Sequence, residues 1–153
     1  MNTLSPKQLS LSRHSFMASG MLTLSLFFCS SALTAGTTMF YSLPSEAASL
    51  EQYQWRSRPV VIFAPSEKDA DYVRQIAMLE KSKADLADRD IIVLSDTSPA
   101  ASGQLRTQFK PEGFEVMLVG KDGGVKIRQK APLTSEDLLS TIDRMPMRKA
   151  NLR

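Results

Sequence analysis

From residue 59 onward the chain alternates short apolar runs with stretches that are apolar only at every third or fourth position. PVVIFA (residues 59–64) is a continuous β-branched and aromatic run, the pattern of a strand buried on both faces. Pro65 and Ser66 stop it, and Ser66 followed three residues later by Asp69 has the spacing of a capping box. Tyr72, Val73, Ile76, Leu79 and Leu86 then recur on one helical face while Lys81, Lys83, Asp85 and Asp88 favour solvent. This predicts a helix to about residue 87, ended by DRD at 88–90. IIVL (91–94) predicts a second buried strand, and a crossover of that length implies parallel pairing with a right-handed connection.

The breaker-rich stretch SDTSPAASG (95–103) predicts a loop, followed by a short helix around residues 105–109. FEVMLVG (114–120) and VKIRQ (125–129) flank KDGG, whose Asp122 and Gly123 supply the backbone freedom of a tight antiparallel hairpin. Thr134, with Asp137 three residues on, caps a last helix that carries Leu138, Leu139, Ile142 and Met145 on one face and ends at Pro146. The order β-α-β-α-β-β-α, two parallel strands followed by a hairpin and a closing helix, predicts an α/β domain. Its expected form is thioredoxin-like: a mixed central sheet with flanking helices.

The first third of the chain has a different texture. Lys7 and Arg13 precede a run, residues 15–45, that holds no charged residue, and its most apolar part is MLTLSLFF (21–28). A basic start, an apolar core and small residues after it describe an export leader, cut after Ala35 or after Ala47, with Ala47 preferred. Residues 1–47 are then signal peptide, 48–58 a lead-in segment in which Trp55 packs against the domain edge, 59–148 the folded domain and 149–153 a basic tail. The expected location is the periplasm or the exterior, with retention as an N-terminal membrane anchor the alternative. Lipid attachment at Cys29 is disfavoured because Phe28 stands where a small residue is needed.

Composition narrows the chemistry. Cys29 and His14 are the only cysteine and histidine, and both fall in the leader. A domain that has lost them has no thiol, disulfide or imidazole. Thiol–disulfide exchange, peroxidatic cysteine chemistry, Ser-His-Asp catalysis and His/Cys zinc binding are thereby excluded. The net charge of +3 is small and evenly interspersed, which argues against nucleic acid or an anionic membrane surface as partner.

Four groups of residues remain as candidates. The turn at Pro65, Ser66 and Asp69 offers helix-start N–H groups to an anion, although Ser66 and Asp69 can satisfy those donors themselves. Asp96 follows the second strand at the edge where open α/β sheets bind ligands, and with Asp69 it would make a carboxylate pair for acid–base or metal chemistry. Met145 and Met147, with Met117 as a third thioether, would suit Cu(I), though Met145 also fits the buried helix face. Arg144, Arg148, Lys149 and Arg153 form a basic tail for an acidic partner or envelope polymer, or a solvated end. KDGG lacks the spacing of a phosphate loop.

The segments VVIFAPSEKDADYVRQ, GFEVMLVGKDGG and SEDLLSTIDRMPMR resemble the P-DUDES domain, over roughly residues 50–148. This is a bacterial domain of unknown function similar to domains of vertebrate sushi-repeat and related extracellular matrix proteins. The resemblance implies a thioredoxin-like or peroxiredoxin-like fold, export and no established activity, and it supplies no catalytic residues or cofactor. In thioredoxins the redox Cys-x-x-Cys occupies the turn after the first core strand. Here that stretch reads Ala64, Pro65, Ser66, Glu67, Lys68, Asp69. A serine hydroxyl without a histidine base does not replace a thiolate. The expectation is a non-catalytic binding or adaptor module for an envelope protein or glycan, set against a carboxylate-based, metal-assisted hydrolase and a methionine-based copper protein.

Overall fold

The computed structural model describes residues 39–151. Five strands form one mixed sheet: β1 (Phe40–Ser42), β2 (Arg58–Phe63), β3 (Ile91–Asp96), β4 (Glu115–Val119) and β5 (Val125–Gln129), in the spatial order β1-β3-β2-β4-β5. β3 runs parallel to both β1 and β2, while β4 is antiparallel to β2 and forms an antiparallel hairpin with β5. This is the predicted thioredoxin-like order with one strand added at the border. That strand lies inside the uncharged run with leader composition.

Strand alternation divides the core between the two faces. Val60, Ile62, Val93, Val116 and Leu118 face one side, where Leu79, Leu86, Leu138 and Ile142 cover them. These come from helices α1 (Ala70–Lys81), α2 (Lys83–Asp88) and α4 (Ser135–Asp143). Val61, Phe63, Leu94, Met117 and Val119 face the other side, under Leu105 of α3 (Gln104–Phe109) and Leu43, with Ala47, Leu50 and Tyr53 packed on its rim. Residues 39–47 therefore contribute to the packing, and Met39 is buried on the first face.

Several local expectations are corrected. The first helix is capped by Asp69, whose carboxylate accepts from the N–H groups of Asp71 and Tyr72, so the helix starts after Asp69 and Ser66 is not its cap. The helix is also interrupted at Ser82, which closes α1 and precedes α2. Trp55 is 61% exposed instead of packed, and Tyr53 takes the rim position. Pro146 ends nothing further: α4 has already stopped at Asp143, and the proline opens α5 (Pro146–Asn151), a position its fixed φ favours. Thr134 caps α4 as expected, accepting from the N–H of Asp137.

Gln75 is the polar residue that the helical pattern hides. It is fully buried in α1, its amide donates to the Leu133 carbonyl at 3.0 Å and its oxygen accepts from the Leu133 N–H at 2.6 Å. The side chain thus pairs with the backbone as a strand neighbour would, and it fixes the approach to α4. Gln75→Leu leaves both backbone groups buried without partners, and it is expected to lower stability by about 2–3 kcal/mol. A denaturation midpoint shifted by less than ~0.5 kcal/mol would show that water reaches Leu133 instead.

Candidate functional site

The turn after β2 is where a thioredoxin-like scaffold carries its chemistry. Ala64 is still held to β3, its N–H donating to the Asp96 carbonyl at 2.9 Å. Pro65, Ser66, Glu67 and Lys68 are exposed, and the Asp69 N–H closes the turn on the Ser66 carbonyl at 3.2 Å. Because the Asp69 carboxylate fills the helix-start donors, the anion site considered at this turn is occupied from within.

Asp96 sits at the carboxyl end of β3, as its sequence position predicts, but its partner was not foreseen. Arg106 of α3 donates from Nε to the Asp96 carboxylate at 2.8 Å and from Nη2 to the carbonyls of Asp96 and Ala64 at 2.9 and 3.1 Å. Both side chains are nearly buried, and the guanidinium lies 5.3 Å from the centre of the Phe63 ring. One arginine therefore gathers the free ends of β2 and β3. The other Asp96 oxygen accepts from the Ser98 N–H at 3.0 Å. A polar cleft of about 330 Å³ opens beside it, between the segment following β1 and the loop following β3, with Ser45, Glu46 and Asp96 among its walls.

Asp69 and Asp96 are each committed to their own partners. Among the described residues no three His, Cys, Asp or Glu side chains cluster as metal ligands. Sequence reasoning also missed Glu115, a buried carboxylate on β4 opposite Phe63, which is ion-paired to Arg128 of β5. The signal for Arg106 and Glu115 is faint. Each is a charged residue beside an apolar position, the ordinary mark of a solvated strand or helix end.

The thioether set is divided by the sheet. Met117 belongs to the core on one face, while Met145 packs against the core on the other. Arg148 is drawn inward and does not trail in solvent. It donates to the Asp88 carbonyl at 3.0 Å, forms a short ion pair with the Asp88 carboxylate, and approaches Asp143 at 3.5 Å. Arg89 completes this network with two bonds to Asp143, at 2.9 and 2.8 Å.

The hydrogen bonds from Arg89 hold the Asp143 carboxyl below its ordinary range, and the same contact raises Arg89. A carboxylate whose pKa is depressed by folding contributes stability above its unfolded value and loses that contribution as pH falls through the folded value. The stability difference between the wild type and Asp143→Asn is therefore expected to be constant above about pH 5 and to shrink below about pH 4. Denaturation midpoints from pH 7 to pH 2 measure it. A difference that persists unchanged to pH 2 would mean that the Asp143 charge is immaterial.

Comparison with known proteins places this geometry. Sushi repeat-containing protein SRPX2 of Rattus norvegicus is 28% identical over 116 residues, a match that covers 65% of this chain and 25% of that protein. Coiled-coil domain-containing protein 80 of Danio rerio is 26% identical over 133 residues, covering 67% of this chain and 15% of that one. The chain spans about a quarter or less of the length of these curated relatives. Among solved structures, the reduced 2-Cys peroxiredoxin of Plasmodium vivax is similar with a TM-score of 0.51 at 12% identity, over 66% of this chain and 84% of that one. That likeness is one of fold alone, and it agrees with the strand order described above. The family model for a domain of unknown function, DUF4174, matches residues 49–151. These residues take in β2 to α5 and both faces of the core, and the chain belongs to that family.

Proposed function

We propose that this chain is an exported, non-catalytic binding module of the cell envelope, built on a thioredoxin-like scaffold. The observation that carries the reading is the content of the turn after β2: the stretch from Ala64 to Asp69, where the scaffold's Cys-x-x-Cys would lie, holds no cysteine, and Asp69 spends its carboxylate on the helix start. Arg106 adds support by tying off the strand ends next to that turn. The resemblance to the P-DUDES domain and the similarity to sushi repeat-containing proteins agree with an exported module whose partner is an envelope protein or glycan. For the leader, cleavage after Ala35 fits better than after Ala47, because the former spares β1 and the buried Met39 and Leu43. The proposed location is the periplasm or the exterior.

The test is redox turnover by the full chain and by its Cys29→Ser variant, measured as reduction of a fluorescent glutathione disulfide and as peroxide consumption. Neither protein is expected to exceed the buffer rate. Turnover by the Cys29→Ser variant would overturn the non-catalytic reading, since no thiol then remains in the chain.

A further inference from the structure

The opposite end of the sheet, away from the turn after β2, carries a different kind of site. At the amino end of β2 a cavity of about 480 Å³ opens between the β4–β5 turn and the junction of α4 with α5. Arg58 lines it, with Lys121 and Lys126 on the turn side and Arg144, Met145 and Met147 on the helix side. Its volume is in the range of small-molecule sites, which pair apolar walls with a few placed polar groups.

The cations here are short of anions. Arg58 is 2% exposed, gives one guanidinium nitrogen to the Arg89 carbonyl at 2.7 Å, and has no hydrogen-bond partner for Nε among the described residues. Its nearest carboxylate, Asp90, is 3.7 Å away and already pairs with Lys121 at 2.7 Å. Asp122 pairs with Lys126 at 2.6 Å. Arg144 bonds only the Thr141 hydroxyl, at 3.2 Å, and meets no carboxylate among the described residues. At contact distance four cations thus share two carboxylates, with Asp143 and the like charge of Arg148 acting on Arg58 from further off, and burial depresses the Arg58 pKa. A buried guanidinium with an unused N–H is costly unless a charged acceptor completes it.

We infer that this cavity binds a small organic acid, with its carboxylate against Arg58 and Arg144 and its apolar body along Met145 and Met147. A planar carboxylate can pair with guanidinium groups through both its oxygens, and the thioether walls favour a ligand that also carries an apolar body. The Met-x-Met spacing then supplies apolar lining. This gives a ligand class to the binding module proposed above and rests on that reading. Its test records occupancy and not turnover, so the two can fail separately.

The experiment is a titration of the full chain, labelled with [methyl-13C]methionine, with hexanoate, hexanol and inorganic phosphate. Hexanoate is expected to shift the methyl resonances of Met145 and Met147 saturably and to leave that of Met117, on the other face of the sheet, in place. Arg144→Gln, an exposed-rim change that the fold tolerates, is expected to weaken hexanoate binding roughly tenfold, and Arg58→Gln at least as much. Where Arg58→Gln fails to fold, Arg144→Gln decides the matter alone. An equal response to hexanol removes the anion requirement and overturns the proposal. An equal response to phosphate overturns the organic-acid class. Shifts that include Met117, unchanged affinity in Arg144→Gln, or no shift up to about 10 mM hexanoate, tenfold above a millimolar Kd, overturn the site.

Discussion

A chain that begins at Ala48 is expected to be barely folded, whereas one that begins at Gly36 unfolds cooperatively. The shorter chain loses β1, and with it Met39 and Leu43, which are 3% and 9% exposed. Burial of two such side chains is worth roughly 3–6 kcal/mol. It also frees the β3 groups that β1 holds, including the Val93 N–H that donates to the Met39 carbonyl at 2.6 Å and the Ser95 carbonyl that accepts from the Leu43 N–H at 2.8 Å. A domain of this size has a total stability on the order of 5–15 kcal/mol, so the loss takes most of it. Urea denaturation of the two chains, followed by tyrosine and Trp55 fluorescence, measures the difference. Equal midpoints would show that β1 is dispensable. If the chain is exported as proposed, mass spectrometry of the mature protein is expected to show an N-terminus at Gly36 and not at Ala48.

Arg106→Met is expected to cost about 3–5 kcal/mol, the penalty for leaving a nearly buried carboxylate without its partner. The loss is larger than that of an exposed ion pair because one guanidinium serves three acceptors: the Asp96 carboxylate oxygen that Ser98 leaves open and the carbonyls of Asp96 and Ala64. The double variant Arg106→Met, Asp96→Asn is expected to recover part of the loss, since the neutral amide no longer needs a counter-charge. Denaturant midpoints of the wild type, both single variants and the double variant form the cycle. A single-variant loss below about 1 kcal/mol, the level of a surface pair, would mean that solvent reaches Asp96 freely.

The parts of this structure that sequence reveals are those decided locally. β5 spans the predicted residues 125–129, and Thr134 caps α4 as its spacing with Asp137 requires. The hairpin turn follows from Gly123, whose φ of +80° few side chains tolerate. β1 was invisible for the opposite reason. Its three residues are strand-like only because β3 offers a parallel edge, and their uncharged setting has the composition of a leader. Asp96 was legible as a residue at the ligand-binding edge of the sheet, but its bond to Arg106 was not, because nothing in the spacing of the two residues announces a contact. Arg58, Gln75 and Glu115 share that difficulty. A polar residue at the end or on the face of an apolar run reads as solvent-facing, and only the packed tertiary structure reveals that it is enclosed.

The sheet's lateral borders have a consequence for recruitment. Among the described residues β1 is only three residues long, and β5, the opposite outer strand, presents Lys126 and Arg128 among its five. Short, cation-bearing margins are poor templates for an added strand, which guards against self-association into fibrils. A companion molecule is thereby steered away from β-augmentation and toward recognition through side chains.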